Sequence, residues 1–433
     1  MIKFFPAAGI LMMLAAPAPG NGQDSGTSML DSLCVEALQN NPQLRAARHQ
    51  TSAARAKVDQ VTSWEAPQIG IEFFQTPIKS FPNPVKNGME TDYFVQQMIP
   101  FPGKLSSMGE AAESNTAMLE ANYRSLERKV IKELKVAYYE LYLAQRKIEI
   151  NGENQDLMRK FVDIAAKQYE VGMGKQPDIL RAQTELSTLI NEGLNLQRER
   201  LVAESMINTI LNRPVDAPVG HVPDIEKSIP GWTFEQLRPL ALANRPELQA
   251  MNYGVDMNRA DLSASKREYF PDVMARVMYK DMAMTGDDFW AVMVGISIPI
   301  APWASGKTSS KVDENELNVK KAEEEYSYMK NMTLFEVRNA LVRVQTSQNI
   351  VSLFTNTTIP QAEQTLKSTL AAYQTGKSEF LMLIDAYRML LMSRLEHSMA
   401  EMNLMVSQAE LEQAVGLDIN EIAGRLQSQG PSR

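Results

Sequence analysis

The chain has 433 residues, of which 44% are apolar and 22% charged, enough to bury a sizeable core. Its 44 Lys and Arg against 52 Asp and Glu leave a net charge of −8, which argues against a general nucleic-acid binder. One cysteine, Cys34, excludes an intrachain disulfide and any zinc site built on several thiolates. A mean hydropathy of −0.27 argues against a bundle of many transmembrane helices.

The N-terminus opens Met1-Ile2-Lys3, runs apolar from Phe4 to Ala18, and ends in the small residues Ala16, Ala18, Gly20 and Gly22. This pattern predicts a signal peptide over 1–22 and a mature chain that works outside the cytosol; an amphipathic N-terminal helix is the plain alternative. Cys34 lies too far along to be a lipoprotein cleavage point and reads as an apolar helix residue.

The remainder is written twice. Ala37-Leu38-Gln39-Asn40-Asn41-Pro42-Gln43-Leu44 matches Ala241-Leu242-Ala243-Asn244-Arg245-Pro246-Glu247-Leu248 at an offset of 204. The same offset carries Pro67 onto Pro271, Tyr169 onto Tyr373, Gly172 onto Gly376 and Ala182 onto Ala386. The chain therefore divides into repeat one (23–213), a proline-marked linker (214–231) and repeat two (232–433).

In repeat one, a helix over about 31–65 is interrupted near its start by Asn41-Pro42. Strands of period two follow at about 67–76 and 91–100, separated by a Pro-, Lys- and Asn-rich loop. A long helix covers about 104–171, with Leu119, Tyr123, Leu126, Val130, Leu134, Ala137, Leu141, Ala144 and Ile148 in one apolar stripe. A shorter helix covers about 177–211. Repeat two gives strands at about 271–281 and 288–299, a long helix at about 307–375 and a shorter one at about 379–415. Two short helices placed end to end match one long neighbour in length. The plan is a rod with strands at one end and hairpin turns, Tyr169–Pro177 and Tyr373–Glu379, at the other.

The strands are long enough to cross a bilayer at a tilt. In lipid every backbone donor and acceptor must be paired, so a spanning sheet has to close. Four strands are too few, since the smallest such barrels have about eight. Several copies must then pool their strands. Phe73, Phe74, Tyr93, Phe94, Tyr279, Phe289 and Trp290, near strand ends, suit an interfacial girdle. A water-soluble antiparallel sheet remains the other reading of the same alternation.

The duplicated strand–strand–long helix–short helix plan resembles the TolC-type outer-membrane efflux family over essentially the whole mature chain. So do the turns Ile99-Pro100-Phe101-Pro102-Gly103-Lys104 and Ile298-Pro299-Ile300 to Gly306-Lys307, and the hairpins Tyr169-Glu170-Val171-Gly172 and Tyr373-Gln374-Thr375-Gly376. The resemblance implies a mostly α fold with a small β part. It implies a homotrimer with a twelve-stranded outer-membrane barrel continued by a periplasmic helical barrel, in a Gram-negative bacterium. It further implies a periplasmic adaptor and an inner-membrane pump of the RND type as partners, and a passive conduit that exports small molecules or metal ions. The Pro-Phe-Pro-Gly-Lys turn looks most like the heavy-metal-efflux branch. By the same resemblance Asp178 and Asp385 match acidic positions of the periplasmic gate. Arg181 and Met382 stand where acids are common, and Ser378 replaces a basic residue of some gate links. Tyr169, Gly172, Tyr373 and Gly376 match the helical tip where an adaptor docks. Read locally, Asp178 is also a first-turn acid that the helix dipole favours, and Gly172 and Gly376 are helix-ending glycines.

Other signals lead nowhere further. Ala301-Pro302-Trp303-Ala304-Ser305-Gly306-Lys307-Thr308 has the outline of a phosphate loop, but Pro302 lacks the N–H that such a loop needs. No nucleophile–base set, paired-histidine zinc helix or thiolate cluster is visible, so no enzyme and no cofactor are expected. Met274 and Met278 share a strand face with Arg276 and are candidate soft-metal thioethers of a lumen, with ordinary packing as the alternative. A periplasmic adaptor or coiled-coil scaffold without a pore is the competing function. Such a protein normally carries one helical hairpin between small β-domains, whereas this chain carries two equivalent copies.

Overall fold

The computed structural model describes residues 29–76, 78, 88–223, 231–282, 286–299, 301–303 and 305–428. The expected signal peptide lies outside the described residues, as do most of the loop after the first strand and the end of the linker. Repeat one comprises α1 (Met29–Asn40), α2 (Pro42–Thr62), β1 (Gln68–Phe74), β2 (Glu90–Ile99), α3 (Lys104–Glu170) and α4 (Gln176–Leu211). Repeat two comprises α5 (Phe234–Asn244), α6 (Pro246–Arg267), β3 (Val273–Asp281), β4 (Asp288–Ile296), α7 (Ser305–Leu353), α8 (Ile359–Gln374), α9 (Phe380–Val415) and α10 (Ile419–Ser428).

At 1.5 Å per residue the 67 residues of α3 extend about 100 Å. A helix of that length is stable only where neighbours cover its apolar stripe. Val130, Leu134, Ala137 and Leu141 are buried against Leu33, Ala37 and Leu44 from the first helix pair and Ile207 and Leu211 from α4. The equivalent cluster in repeat two gathers Leu237, Leu240 and Ala241 with Val337, Leu341, Leu411 and Val415. A third cluster, with Met158, Phe161, Leu383 and Tyr387, joins both repeats toward the hairpin end. The helical columns lie side by side: α2 and α4 on α3, then α6 and α9, then α7 with α8.

The break at Asn41-Pro42 is a joint. The Asn41 side chain accepts from Gln43 N (2.9 Å) and Leu44 N (3.3 Å), capping α2. Its amide donates to the Ile210 carbonyl at 2.9 Å, one of the carbonyls left without a partner at the end of α4. One buried side chain thus links the two short helices where they meet. In repeat two this position is Arg245, which is buried and paired with Glu247 and Glu336.

Two expected elements differ. The second long helix is not continuous: α7 and α8 are separated by a π turn at Phe354–Thr358. Pro360 has no N–H to give the carbonyl of Asn356, so the α ladder is lost there and the helix widens. Asp156, the equivalent residue of repeat one, leaves α3 unbroken. The last strand is also shorter than its alternation suggested. It stops at Ile296, where Ser297 N turns to the Asp272 carbonyl at 3.0 Å. Helix α10, which packs Ile422 into the repeat-two cluster, was not anticipated from periodicity.

Removing the Asn41 side chain by Asn41→Ala should cost about 1–2 kcal/mol, because it uncaps α2 and strands a buried carbonyl. The expected result is a lower thermal midpoint of the helical circular-dichroism signal. An unchanged midpoint counts against the joint.

Candidate conduit wall and tip

Among the described residues, four strands form one antiparallel sheet in the order β1-β2-β3-β4, with β1 and β4 each at an unpaired edge. The register sorts the side chains into two faces. One face carries the rows Ile69–Val95–Val277–Val292 and Ile71–Tyr93–Tyr279–Trp290, with Ile99–Val273–Ile296 toward the helices. Most of these apolar residues are bare: Ile69 is 80% exposed and Trp290 75%. Tyr279 meets Tyr93 at 6.3 Å and Trp290 at 5.5 Å between centroids, making an aromatic band at one end. The opposite face carries Gln68–Gln96–Arg276–Met293, Gly70–Phe94–Met278–Ala291 and Glu72–Asp92–Lys280–Phe289. An apolar face without cover, backed by a polar face, is the pattern of a lipid-exposed wall around a wet interior.

The register corrects part of the expected girdle. Phe94, Phe289 and Phe74 stand on the polar face, because each is one residue out of phase with Tyr93, Trp290 and Phe73. Met274 and Met278 do share the face of Arg276, joined there by Met98 and Met293. Arg276 stands between Met274 and Met278 along β3, and a cation there works against binding of a second one.

The junction of wall and helices is tied across the repeats. Gly103 takes a left-handed conformation (φ 85°), and a Cβ there would collide with the Arg267 guanidinium. Phe101 stacks on Phe270 at 4.4 Å between centroids. Asp272 accepts from Phe101 N at 2.8 Å and pairs with Lys104 Nζ at 2.9 Å. Burial pushes the Asp272 carboxyl up, but the Lys104 hydrogen bond and the Phe101 N–H outweigh it and hold the group below the ordinary carboxylate range.

At the far end the two hairpins meet. Gly172 (φ 74°) and Gly376 (φ 72°) end their helices in the left-handed region. Met173 N and Lys377 N return to the carbonyls of Gln168 and Ala372, at 2.9 and 2.8 Å. Gln168 Nε2 donates to the Gln374 carbonyl at 3.0 Å and so holds one hairpin to the other. The paired tyrosines diverge: Tyr169 is 49% exposed and Tyr373 only 5%. Tyr373 packs on Phe380, with centroids 5.3 Å apart, whereas the equivalent of Phe380 in repeat one is the polar Gln176. Tyr373 is therefore a packing residue within the protomer, while Tyr169, Gly172 and Gly376 lie on the surface.

Asp178 sits in the first turn of α4 and reaches back to Lys175 N at 3.4 Å. Burial, and to a lesser degree the Asp178 charge, pushes the Tyr373 phenol up. Asp385 is exposed on α9 beside Arg388. By the offset of 204, Asp178 is the counterpart of Met382 and Asp385 that of Arg181, so each equivalent pair supplies one acid. Sequence reasoning missed the link between these helices. Arg388 donates to Glu185 through Nε (3.1 Å) and Nη2 (2.6 Å), which braces α9 on α4. A near-equivalent position, one residue short of the repeat offset, was the available signal.

The fold defines a class: a duplicated helical wall ending in a sheet with a bare apolar face, as in channels of the outer membrane. A family profile described as "Outer membrane efflux protein" matches residues 33–213 and 237–417, once per repeat. The chain belongs to the outer membrane efflux protein family, and it is an outer-membrane efflux channel with a periplasmic portion. It is similar to the cation efflux system protein CusC of Escherichia coli O157:H7, with 20% identity over 388 residues, covering 85% of this chain and 81% of that protein. It is also similar to the cobalt-zinc-cadmium resistance protein CzcC of Cupriavidus metallidurans, with 20% identity over 410 residues, 92% of this chain and 95% of that one. A crystal structure of CusC superposes with a TM-score of 0.78 at 19% identity, covering 95% of this chain and 99% of that one. Family members are channels rather than enzymes.

The wall–helix junction carries a pH dependence. The Asp272 carboxyl is depressed in the folded protein, so its stabilisation is present above the ordinary carboxylate range and is lost as the pH falls through the folded value. Asp272→Asn is expected to lower the thermal midpoint at pH 7, by an amount equivalent to about 1 kcal/mol. The gap from the unsubstituted protein should close in acid. A gap that persists at low pH contradicts the assignment.

Proposed function

We propose that three copies close into one continuous conduit, which carries cargo from a periplasmic adaptor and an inner-membrane pump to the exterior. The observation that carries this reading is the open sheet. Its apolar face suits lipid, while β1 and β4 each leave a row of backbone donors and acceptors that hydrocarbon cannot satisfy. Three copies of a four-stranded sheet make a twelve-stranded barrel.

The helical edges support the same closure. One edge, α4, bares Ile190, Leu194 and Leu201; the other, α7, bares Tyr328, Phe335 and Val342 at a spacing of seven. Helix α7 packs on repeat-two helices, and α4 packs chiefly on α3. A head-to-tail contact between the two edges buries both stripes and forms a ring when the rotation closes. Each protomer then contributes four helical columns to a twelve-column periplasmic tunnel.

Asp178 and Asp385 are the proposed acids of the tip, repeated around the threefold axis. Tyr169, Gly172 and Gly376 form the surface offered to an adaptor. The cargo proposed is metal cations, by likeness to a cation efflux protein and a cobalt-zinc-cadmium resistance protein. Acids gathered around an axis attract cations and repel one another, which suits an entrance that favours cations.

Purified protein should run in native mass spectrometry as three chains and give discrete conductance steps in planar bilayers. A monomer that produces no steps overturns the conduit. Replacing both Asp178 and Asp385 by Ala should reduce the K⁺ over Cl⁻ permeability ratio several-fold. An unchanged ratio removes these two residues from the gate.

A further inference from the structure

Outside the tip, one cation, Arg276, stands in the middle of the polar sheet face, with Glu72 of β1 as its ion-pair partner. Gly70 on β1 leaves a floor without a side chain, and a Cβ there would lie 2.4 Å from the Phe94 ring. The Phe94 ring therefore rests against the wall at Gly70. The Arg276 guanidinium stacks over that ring at 4.2 Å from its centroid, and Nε donates to Gln96 Oε1 at 2.8 Å. Its ionic partner is distant: Glu72, half exposed, lies 3.8 Å from Nη1. A pair of that geometry is loose and screened. Farther along the same face, Lys280 is occupied by Glu90 and Asp92. Among the described residues of the rows Gln68–Gln96–Arg276–Met293 and Gly70–Phe94–Met278–Ala291, Arg276 is the one charge.

We propose that Arg276, seated on the Phe94 ring above Gly70, is the charge-selecting residue of the barrel interior and disfavours cations there. The proposal rests on the trimeric conduit, which turns this face inward and repeats Arg276 three times at one level. The stacking and the Gln96 bond fix the guanidinium at a defined depth, so the three charges form a belt. The three guanidiniums, each only loosely offset by Glu72, concentrate positive potential at that level of the lumen. Its reach is about 8 Å at physiological ionic strength and grows as salt is lowered. The conduit then has two filters in series: acids at the periplasmic tip, and a positive belt in the outer membrane. Anions then enter the barrel more readily than bare cations, and the belt opposes a bare cation equally in either direction.

The test is the reversal potential of single channels across a tenfold KCl gradient at low ionic strength. It is made in the Asp178→Ala, Asp385→Ala background, so that the tip acids do not set the result. Arg276→Glu should raise the K⁺ over Cl⁻ permeability ratio several-fold, Arg276→Gln should raise it less, and Arg276→Lys should leave it near the parent value. If Arg276→Glu does not assemble, the comparison of Gln with Lys decides, since only the first removes the charge. Conducting channels with the same reversal potential for Arg276→Gln and the parent overturn the proposal while leaving the conduit intact. Absence of conductance steps in the unsubstituted protein overturns the conduit and the belt together.

Discussion

A strand edge in hydrocarbon has no water to satisfy its N–H and C=O groups, and each unmet group costs several kcal/mol. In the conduit we propose, that constraint governs this molecule. β1 and β4 stand at opposite edges of a sheet whose exposed face is lined with Ile69, Val95, Val292 and Trp290. The protomer is thus complete in its helical core and incomplete in its sheet. The same asymmetry appears in the helices, where the stripes on α4 and α7 are bare while the residues between the repeats are fully packed.

Duplication makes this economical, and divergence between the copies makes it specific. The two repeats build equivalent joints midway along the rod from unlike residues: Asn41 caps and bridges in one, and buried Arg245 pairs with two glutamates in the other. Pro360 opens a π turn in the second long helix, where Asp156 leaves the first intact. At the tip, Tyr373 is held inward by Phe380, while Tyr169, whose repeat has Gln176 in place of that phenylalanine, faces solvent. The two hairpins of one chain are therefore of two kinds, and Asp178 and Asp385 come one from each equivalent pair rather than two.

Much of the architecture was legible from residue order. A repeat at a constant offset, period-two runs and apolar stripes every three or four residues are local patterns, and the elements fall within a few residues of where these patterns put them. The exceptions have local causes that compete with periodicity. Pro360 disturbs a helix whose pattern continues through it. Phe289 is near a strand end, as a girdle residue must be, but parity places it, like the mid-strand Phe94, on the polar face. Parity along one strand is visible in sequence; which parity faces lipid emerges only when four strands are set in register.

Alone, the sequence determined the duplication, the element order and the element lengths, because each follows from spacing along a single chain. Only the tertiary structure decided which residues from different repeats come together. Glu185 meets Arg388, Asp272 meets Lys104, and Arg276 settles on Phe94 above Gly70. The physical reason is that such contacts depend on how columns rotate and strands align. Those rotations and alignments are set by packing summed over the whole protomer and by no residue's neighbours in sequence.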